Sequence, residues 1–238
     1  MSDSSASALP TRVVSSHSWS MDDCGRVDDR QGTAARGHSA ATLYEASTHS
    51  LACSASLQPA WPGAEVSGRA FTVRGRGGDN LALHHAVLQA PSGTVLTVDV
   101  QGAEYGHWGE VLAVAARTRG IAGLIIDGGV RDTEAMSQMG FPVFSSGTSV
   151  VGTRKDWFGQ FGGTIRVGGA AVRSGDLVVA DADGVVIISA EHAREALESA
   201  DERVAKEAAF MDQLRNGATT VDLLDLPSIE RTQSQSGP

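Results

Sequence analysis

The chain has 238 residues, 41% of them hydrophobic, enough to bury the core of one sizeable domain. Its formal net charge of −9 argues against nucleic acid or an anionic membrane as the main partner, while leaving room for a local basic pocket. No apolar run has the length of a membrane-spanning helix, and the first residues lack the basic start and apolar middle of a signal peptide.

A cytoplasmic chain with no membrane partner is therefore expected. Cys24 and Cys53 have no metal-like spacing and fit a reduced chain, with a Cys24–Cys53 disulfide as the alternative. Residues 1–37 are rich in Ser, Asp, Gly and Arg with little periodicity, and read as a flexible N-terminal extension. Ser39 to Ser47 reads as a short helix, and Gly68 to Gly75 as a strand of alternating character. GGDN at 77–80 is a turn, with Asp79 a candidate cap for a helix over 80–90. His84 and His85 are neighbours there, about 100° apart, so they cannot serve one metal from one face and read as packing or hydrogen-bonding residues.

After the turn Pro91-Ser92-Gly93 comes the stretch that organises the rest. Val95 to Val100 is β-branched and apolar, broken only by Asp99. A Gly-rich loop over 101–109 follows. Val111, Leu112, Ala115 and Ala116 then recur at helical spacing, and Gly120 sits where a helix stops. Gly123 to Asp127 is a short apolar run, the pattern of a strand buried on both faces. Strand, helix, strand in this order predicts a parallel pair with a right-handed crossover.

Beyond Asp132 the pattern predicts a short helix over 133–139, a strand at FPVF and a long polar loop at SSGTSVVGTRKDW. Strands follow at 164–167, 177–180 and 184–188, the last two joined by the hairpin-style turn ADADG. Asp181 and Asp183 serve that turn better than a calcium loop, since no bidentate Glu completes the set. A long helix from Ser189 or Ala190 to about Arg215 carries Leu197, Ala200, Val204, Ala208 and Met211 as an apolar stripe. The tail over 218–238 is mostly polar. βαβ order together with consecutive hairpin strands describes a layered α/β domain with a mixed sheet.

This topology has a chemical consequence. Loops 101–109 and 128–132 both leave the carboxyl ends of parallel strands, where such sheets bind ligands. Gly109-Glu110, at a helix start, should therefore face Arg131-Asp132. A helix start offers free N–H groups to an anion, and Arg131 a fork matched to a carboxylate or phosphate. Asp132 and Glu110 offer oxygens to a hard cation. The plainer alternative is a surface Arg–Asp pair, with Asp132 capping the helix that starts at Thr133. Tyr105, His107 and Trp108 fit either the far side of a substrate pocket or a subunit interface.

Several chemistries are excluded. The chain has no GxSxG elbow, no Walker A motif, no dinucleotide-type glycine turn and no Cys/His cluster for zinc. Its only lysines, Lys155 and Lys206, lie in a polar loop and among helix charges, poor settings for a Schiff-base nucleophile.

The run WGEVLAVAARTRGIAGLIIDGGVRD, followed by FPVFSSGTSVVGT and GGAAVRSGDLVVADADGVVII, resembles the family of the regulator of ribonuclease activity A, over roughly residues 38–217. That family includes the divalent-metal-dependent 4-hydroxy-4-methyl-2-oxoglutarate / 4-carboxy-4-hydroxy-2-oxoadipate aldolases. The resemblance implies a β/β/α swivelling domain with a mixed, partly parallel sheet flanked by helices, assembled as a homotrimer or hexamer. It implies that Asp132 binds Mg²⁺ or Mn²⁺ with waters filling the shell, and that Arg131 pairs with a small 2-oxo acid. The helix start at Gly109 and Glu110, with the amides of Val111 and Leu112, would bind the pyruvyl end. Glu110 would hold the metal-linked water that takes the substrate proton, and Glu207 would reach the site from a neighbouring subunit. Glu45 and Glu110 stand where the family more often has Asp.

The implied reaction is retro-aldol cleavage to pyruvate, with oxaloacetate decarboxylation as a second activity. Two alternatives remain. One is an inhibitor of ribonuclease E, as some members are; Asp132 speaks against it, because regulator-type members typically lack it. The other is a lyase of the same type acting on a different substrate. A methyltransferase label sometimes given to such sequences finds no support, as no nucleotide-type glycine motif is present.

Overall fold

The computed structural model describes Gly32 and residues 35–227. The expected extension over 1–37 therefore falls almost wholly outside the described residues, as do Cys24 and the tail beyond Pro227.

Four strands form the parallel centre of a nine-stranded sheet. In spatial order they are β3 (Val66–Arg74), β4 (Val95–Trp108), β5 (Gly123–Val130) and β6 (Val143–Thr148). Beyond β3 the sheet continues antiparallel through β10 (Leu177–Asp181), β11 (Gly184–Ile188) and β1 (Ser50–Ala52). At the other edge β2 (Gln58–Pro59) pairs with β6, and β7 (Gln160–Phe161) pairs with the end of β3. β8 (Ile165–Val167) and β9 (Ala170–Val172) form a separate hairpin. The sheet is mixed and partly parallel.

Alternation along the strands builds one core on each face. Leu96, Val98 and Val100 of β4 meet α2 (Leu81–Gln89), α3 (Glu110–Thr118) and α4 (Thr133–Met139) through Leu83, Ala86, Ala113, Ala116 and Met136. On the same face, by the register of β10 against β3, α1 (Ala40–Ala46) and α5 (Ala193–Arg215) cover Leu177, Val179, Val186 and Ile188. The β8–β9 hairpin covers the other face, with Ile165, Val167 and Val172 packed on Val95, Ile125, Phe144 and Val178. The layers are helices, sheet and hairpin.

Local signals set the ends of elements. Ser39 Oγ accepts from Thr42 N at 3.1 Å and starts α1. Gly120, at φ 75, follows the end of α3. Asp181 closes the two-residue hairpin turn, its Oδ1 accepting from Asp183 N at 2.9 Å and its Oδ2 from Ala40 N at 2.7 Å. That is turn chemistry, as the sequence pattern predicts.

Two differences from the expected layout matter. The predicted loop 101–109 is mostly strand: pairing with β5 breaks at Gln101 and Gly102, both at positive φ, resumes at Ala103↔Gly128, and slips again before Trp108↔Val130. Glycines that read as loop residues here let two strand ends lie close together. The apolar stripe of α5 is also only half used. Leu197 and Ala200 are buried, but Val204 is 44% exposed and Met211 47% exposed. Past Ala200 the helix outruns the body it packs on.

Cys53 is a free thiol packed beside the hairpin-side core. Burial, and then the nearby Asp127 carboxylate, push it up to about 12.

Two predictions follow from this packing. Leu43, fully buried between the sheet and α5, should cost about 2–5 kcal/mol when cut to Ala, read as a lower urea midpoint with an unchanged slope. In a Cys24→Ser background, folded protein at mildly alkaline pH should let a thiol reagent modify half-buried Cys53 only slowly, with labelling much faster in denaturant. A fast stoichiometric reaction of the folded chain would contradict the burial.

Candidate active site

The two segments singled out in the sequence meet. Glu110 N, the first amide of α3, donates to Asp132 Oδ2 at 3.1 Å. Arg131 N donates to Trp108 O at 2.9 Å, so the end of β5 is zipped to the end of β4 immediately behind this contact. The amides of Val111 and Leu112 meet no acceptor among the described residues. The helix tip thus keeps unused donors and a partial positive charge beside a carboxylate.

Asp132 occupies the N-cap position of α4 in the backbone, yet its side chain makes no capping bond there. The capping alternative is therefore set aside: the carboxylate turns across to α3 instead. Its backbone sits at φ 56, ψ 38, a left-handed conformation that Asp tolerates better than most residues. Strain of this kind gathers at functional sites. Arg131 Nε lies 3.7 Å from Asp132 Oδ2, and both side chains stay open, at 49% and 43% exposure.

The Gly106 and Gly109 pair explains this closeness. A Cβ on Gly109 would collide with Asp132 Oδ2 and press on Arg131 Cγ at 3.0 Å. A Cβ on Gly106 would lie 3.0 Å from Arg131 Cδ and 2.6 Å from Ser149 O. The Arg131 stem therefore runs over two bare backbone positions, and only glycine leaves it room. The φ of Gly109 is −164°, so the requirement is space rather than conformation.

A cleft of about 820 Å³ opens beside Asp132, lined by Val130, Arg131, Asp132, Thr133, Thr148, Ser149 and Val150. Thr148, Ser149 and Val150 were missed in the sequence, where they sit inside a polar loop. Their signal was positional: they follow β6, the parallel neighbour of β5. A more enclosed cavity of about 540 Å³, with Arg36, His38, Glu65 and Asp181 in its wall, lies at the amino ends of the parallel strands, away from this chemistry.

The remaining candidates separate. Trp108 is fully buried and stacks on Phe141 at 6.0 Å, and His107 is fully buried as well, so neither lines the cleft or the surface. Tyr105 is 39% exposed, its ring over Gly78. His84 is pushed down by burial, then by Lys155 and His85, while His85 packs on Phe158 at 5.3 Å. Asp79 exceeds its predicted role: Oδ1 accepts from Leu81 N, and Oδ2 from Asp156 N and Trp157 N, tying the start of α2 to the loop after β6. Glu207 pairs with Arg203, its Oε1 2.7 Å from Nε, and Arg203 also reaches Glu45. This joins α5 to α1, and no described contact joins Glu207 to Asp132. Glu45 thus has a structural partner that the sequence did not suggest.

An open helix tip facing an Arg–Asp corner, at the carboxyl ends of a mixed α/β sheet, defines a domain equipped to bind a small anion. The model of the RraA-like family, described as Aldolase/RraA, matches residues 40–187, and the chain belongs to this family. A protein of Halalkalibacterium halodurans, provisionally named a 4-hydroxy-4-methyl-2-oxoglutarate aldolase, is 36% identical over 146 residues, covering 61% of this chain and 70% of that protein. Streptomyces coelicolor RraAS2, described as an unusual member of the RNase ES inhibitor RraA protein family, superposes with a TM-score of 0.67 at 26% identity. The match covers 78% of this chain and 98% of that one. A Geobacillus kaustophilus structure described as S-adenosylmethionine: 2-dimethylmenaquinone methyltransferase has a TM-score of 0.56 at 34% identity, covering 59% and 88%. The family match ends before α5, so Glu207 lies beyond it.

The cradle is testable apart from any activity. Gly109→Ala should push the Asp132 carboxylate off Glu110 N, read as an upfield move of the Glu110 amide proton by NMR with the fold intact by circular dichroism. An unmoved amide proton would mean that the bare position is not what allows this contact.

Proposed function

We propose that this protein is a divalent-metal-dependent carbon–carbon lyase that splits a 4-hydroxy-2-oxo acid into pyruvate and a second oxo acid. The substrate is of the 4-hydroxy-4-methyl-2-oxoglutarate or 4-carboxy-4-hydroxy-2-oxoadipate type, and the active assembly is a homotrimer or hexamer. The observation that carries this reading is the 3.1 Å contact of Asp132 with the α3 tip, which leaves the carboxylate facing an open cleft. The provisional aldolase name of the Halalkalibacterium relative supports it.

The residues present fit a hard cation. Among the described residues no three His, Cys, Asp or Glu side chains cluster to hold a metal, which disfavours a zinc-type site. One exposed carboxylate suits Mg²⁺ or Mn²⁺, ions that keep most of their own water, so Asp132 is the residue to hold it. When bound, the ion supplies positive charge beside the keto and carboxylate oxygens of the substrate, where enolate charge develops.

The chain's own groups do the rest. Arg131 pairs with the substrate carboxylate, and the amides of Val111 and Leu112, beyond the Gly109–Glu110 step, bind the same pyruvyl end. Glu110 takes the proton of the C4 hydroxyl, directly or through one water. C4–O becomes a carbonyl, the C3–C4 bond breaks, and its electron pair stays on C3 as the pyruvate enolate. Arg131 and the helix tip stabilise that charge. The proton then returns to C3 and pyruvate leaves. Glu207 from a neighbouring subunit closes the site. The same enolate chemistry extends to oxaloacetate, with carbon dioxide as the leaving fragment.

A second reading has its own support. Solved relatives described as an RNA-processing inhibitor from Thermus thermophilis and as a member of the RNase ES inhibitor family share this fold. Under that reading the chain acts by binding ribonuclease E.

One experiment separates the two. The protein is incubated with each of the two hydroxy-oxo acids and with oxaloacetate, with Mg²⁺ or with chelator, and pyruvate is followed. Release should require the ion, and Asp132→Ala should lower it by on the order of 10²-fold or more. Full turnover in chelator or in the variant rejects the lyase reading. Capture of ribonuclease E with neither ion binding nor pyruvate favours the second.

A further inference from the structure

We infer that His107 is a positioning residue for this site: its imidazole is a fixed strut that holds the ends of β4 and β5 in the register bringing Glu110 N onto Asp132. The catalytic meaning of the strut rests on the lyase reading, but the geometry it fixes does not.

His107 is fully buried, and both ring nitrogens are engaged. Gly78 N donates to Nε2 at 3.1 Å. An amide can only donate, so Nε2 carries no proton and the hydrogen sits on Nδ1. Nδ1 lies 3.3 Å from Gly129 O and donates to it. One neutral tautomer satisfies both partners; a second ring proton would point at the N–H of Gly78. Burial pushes the imidazole below its usual range and so favours the neutral ring, against the backbone contacts with Gly129 and Tyr105 and then the Asp79 carboxylate, which act in the opposite direction.

What the ring joins gives it the role. Gly129 is on β5 and lies three residues before Asp132; His107 is on β4 and lies three residues before Glu110. Between them the strands are held by Trp108↔Val130 and by Arg131 N on Trp108 O. This is where the register slips a second time, between Ala103↔Gly128 and Trp108↔Val130, so ladder pairing alone is interrupted. The ring bridges that gap. Its other partner, Gly78 N, belongs to the turn at 77–80, and from the same turn Asn80 Nδ2 donates to the main-chain oxygen of His107 at 3.1 Å. That turn also holds the loop after β6, with Arg154 N on Gly78 O and the Asp79 contacts already given. The same loop begins at Ser149 and Val150, in the cleft wall. A single ring therefore fixes the helix tip, the Arg–Asp corner and the root of the cleft loop.

The test compares three substitutions. His107→Leu removes both ring bonds. His107→Asn keeps an amide N–H near the place of Nδ1, for Gly129 O. His107→Gln reaches Gly78 N–H with its amide oxygen and leaves Gly129 O without a donor. The first readout is the chemical shift of the Glu110 amide proton by NMR in metal-free protein, displaced downfield by its hydrogen bond to the Asp132 carboxylate. The second is Mn²⁺ affinity by electron paramagnetic resonance.

Wild type and His107→Asn should show the downfield amide shift, and His107→Leu and His107→Gln should lose most of it. Mn²⁺ affinity should fall about 10-fold in Leu and Gln and stay within about 3-fold of wild type in Asn. A folded Leu variant with the full amide shift and full affinity overturns the role. If Leu fails to fold, Asn against Gln decides: equal behaviour, or Gln better than Asn, overturns it. Wild type that shows the amide shift but releases no pyruvate removes the lyase reading and leaves the strut standing.

Discussion

A carboxylate placed on the first free amide of a helix is the constraint that the site depends on. Asp132 Oδ2 at 3.1 Å from Glu110 N joins a strand end to a helix start, and both come from the central parallel pair. The attraction is twofold, a hydrogen bond to a charged acceptor and the favourable end of the helix dipole. It is also steric, since Gly106 and Gly109 must be bare for the Arg131 stem to lie flat. The rest of the fold serves this junction: the helical layer fixes α3 from behind, and the hairpin layer seals the other side of the same strands.

Much of this was legible from residue order alone. The apolar runs at 95–100 and 123–127, with a helical pattern between them, announced the parallel pair because burial on both faces leaves no polar alternation. Placement of Arg131-Asp132 opposite Gly109-Glu110 followed from that topology. The course of residues 101–108 was not legible. Glycine density there reads as loop, yet the glycines accommodate close backbone contact within paired strands. The roles of His107 and Asp79 were hidden for a different reason. Each is defined by partners far along the chain, at Gly129 and at Asp156, and no local period encodes those contacts. Glu45 gave no sign of meeting Arg203 for the same reason.

The long C-terminal helix needs a separate account. A stripe of Leu197, Ala200, Val204, Ala208 and Met211 reads as one buried face, but the sheet beneath it ends at the second of these. The pattern identified an apolar surface correctly and was silent about what covers it. Short-range periodicity reports that a face is apolar, not whether its cover belongs to the same molecule. The family match stops before this helix.

The left-handed backbone at Asp132 narrows the choices open to this position during divergence. Few side chains settle there without penalty, and Asn is the nearest in shape to the one present. Such an exchange would preserve the main chain of the corner and discard its charge. Two chains of this fold can thus share every bend of the polypeptide and still differ in charge at this corner. Superposition of backbones is blind to that difference.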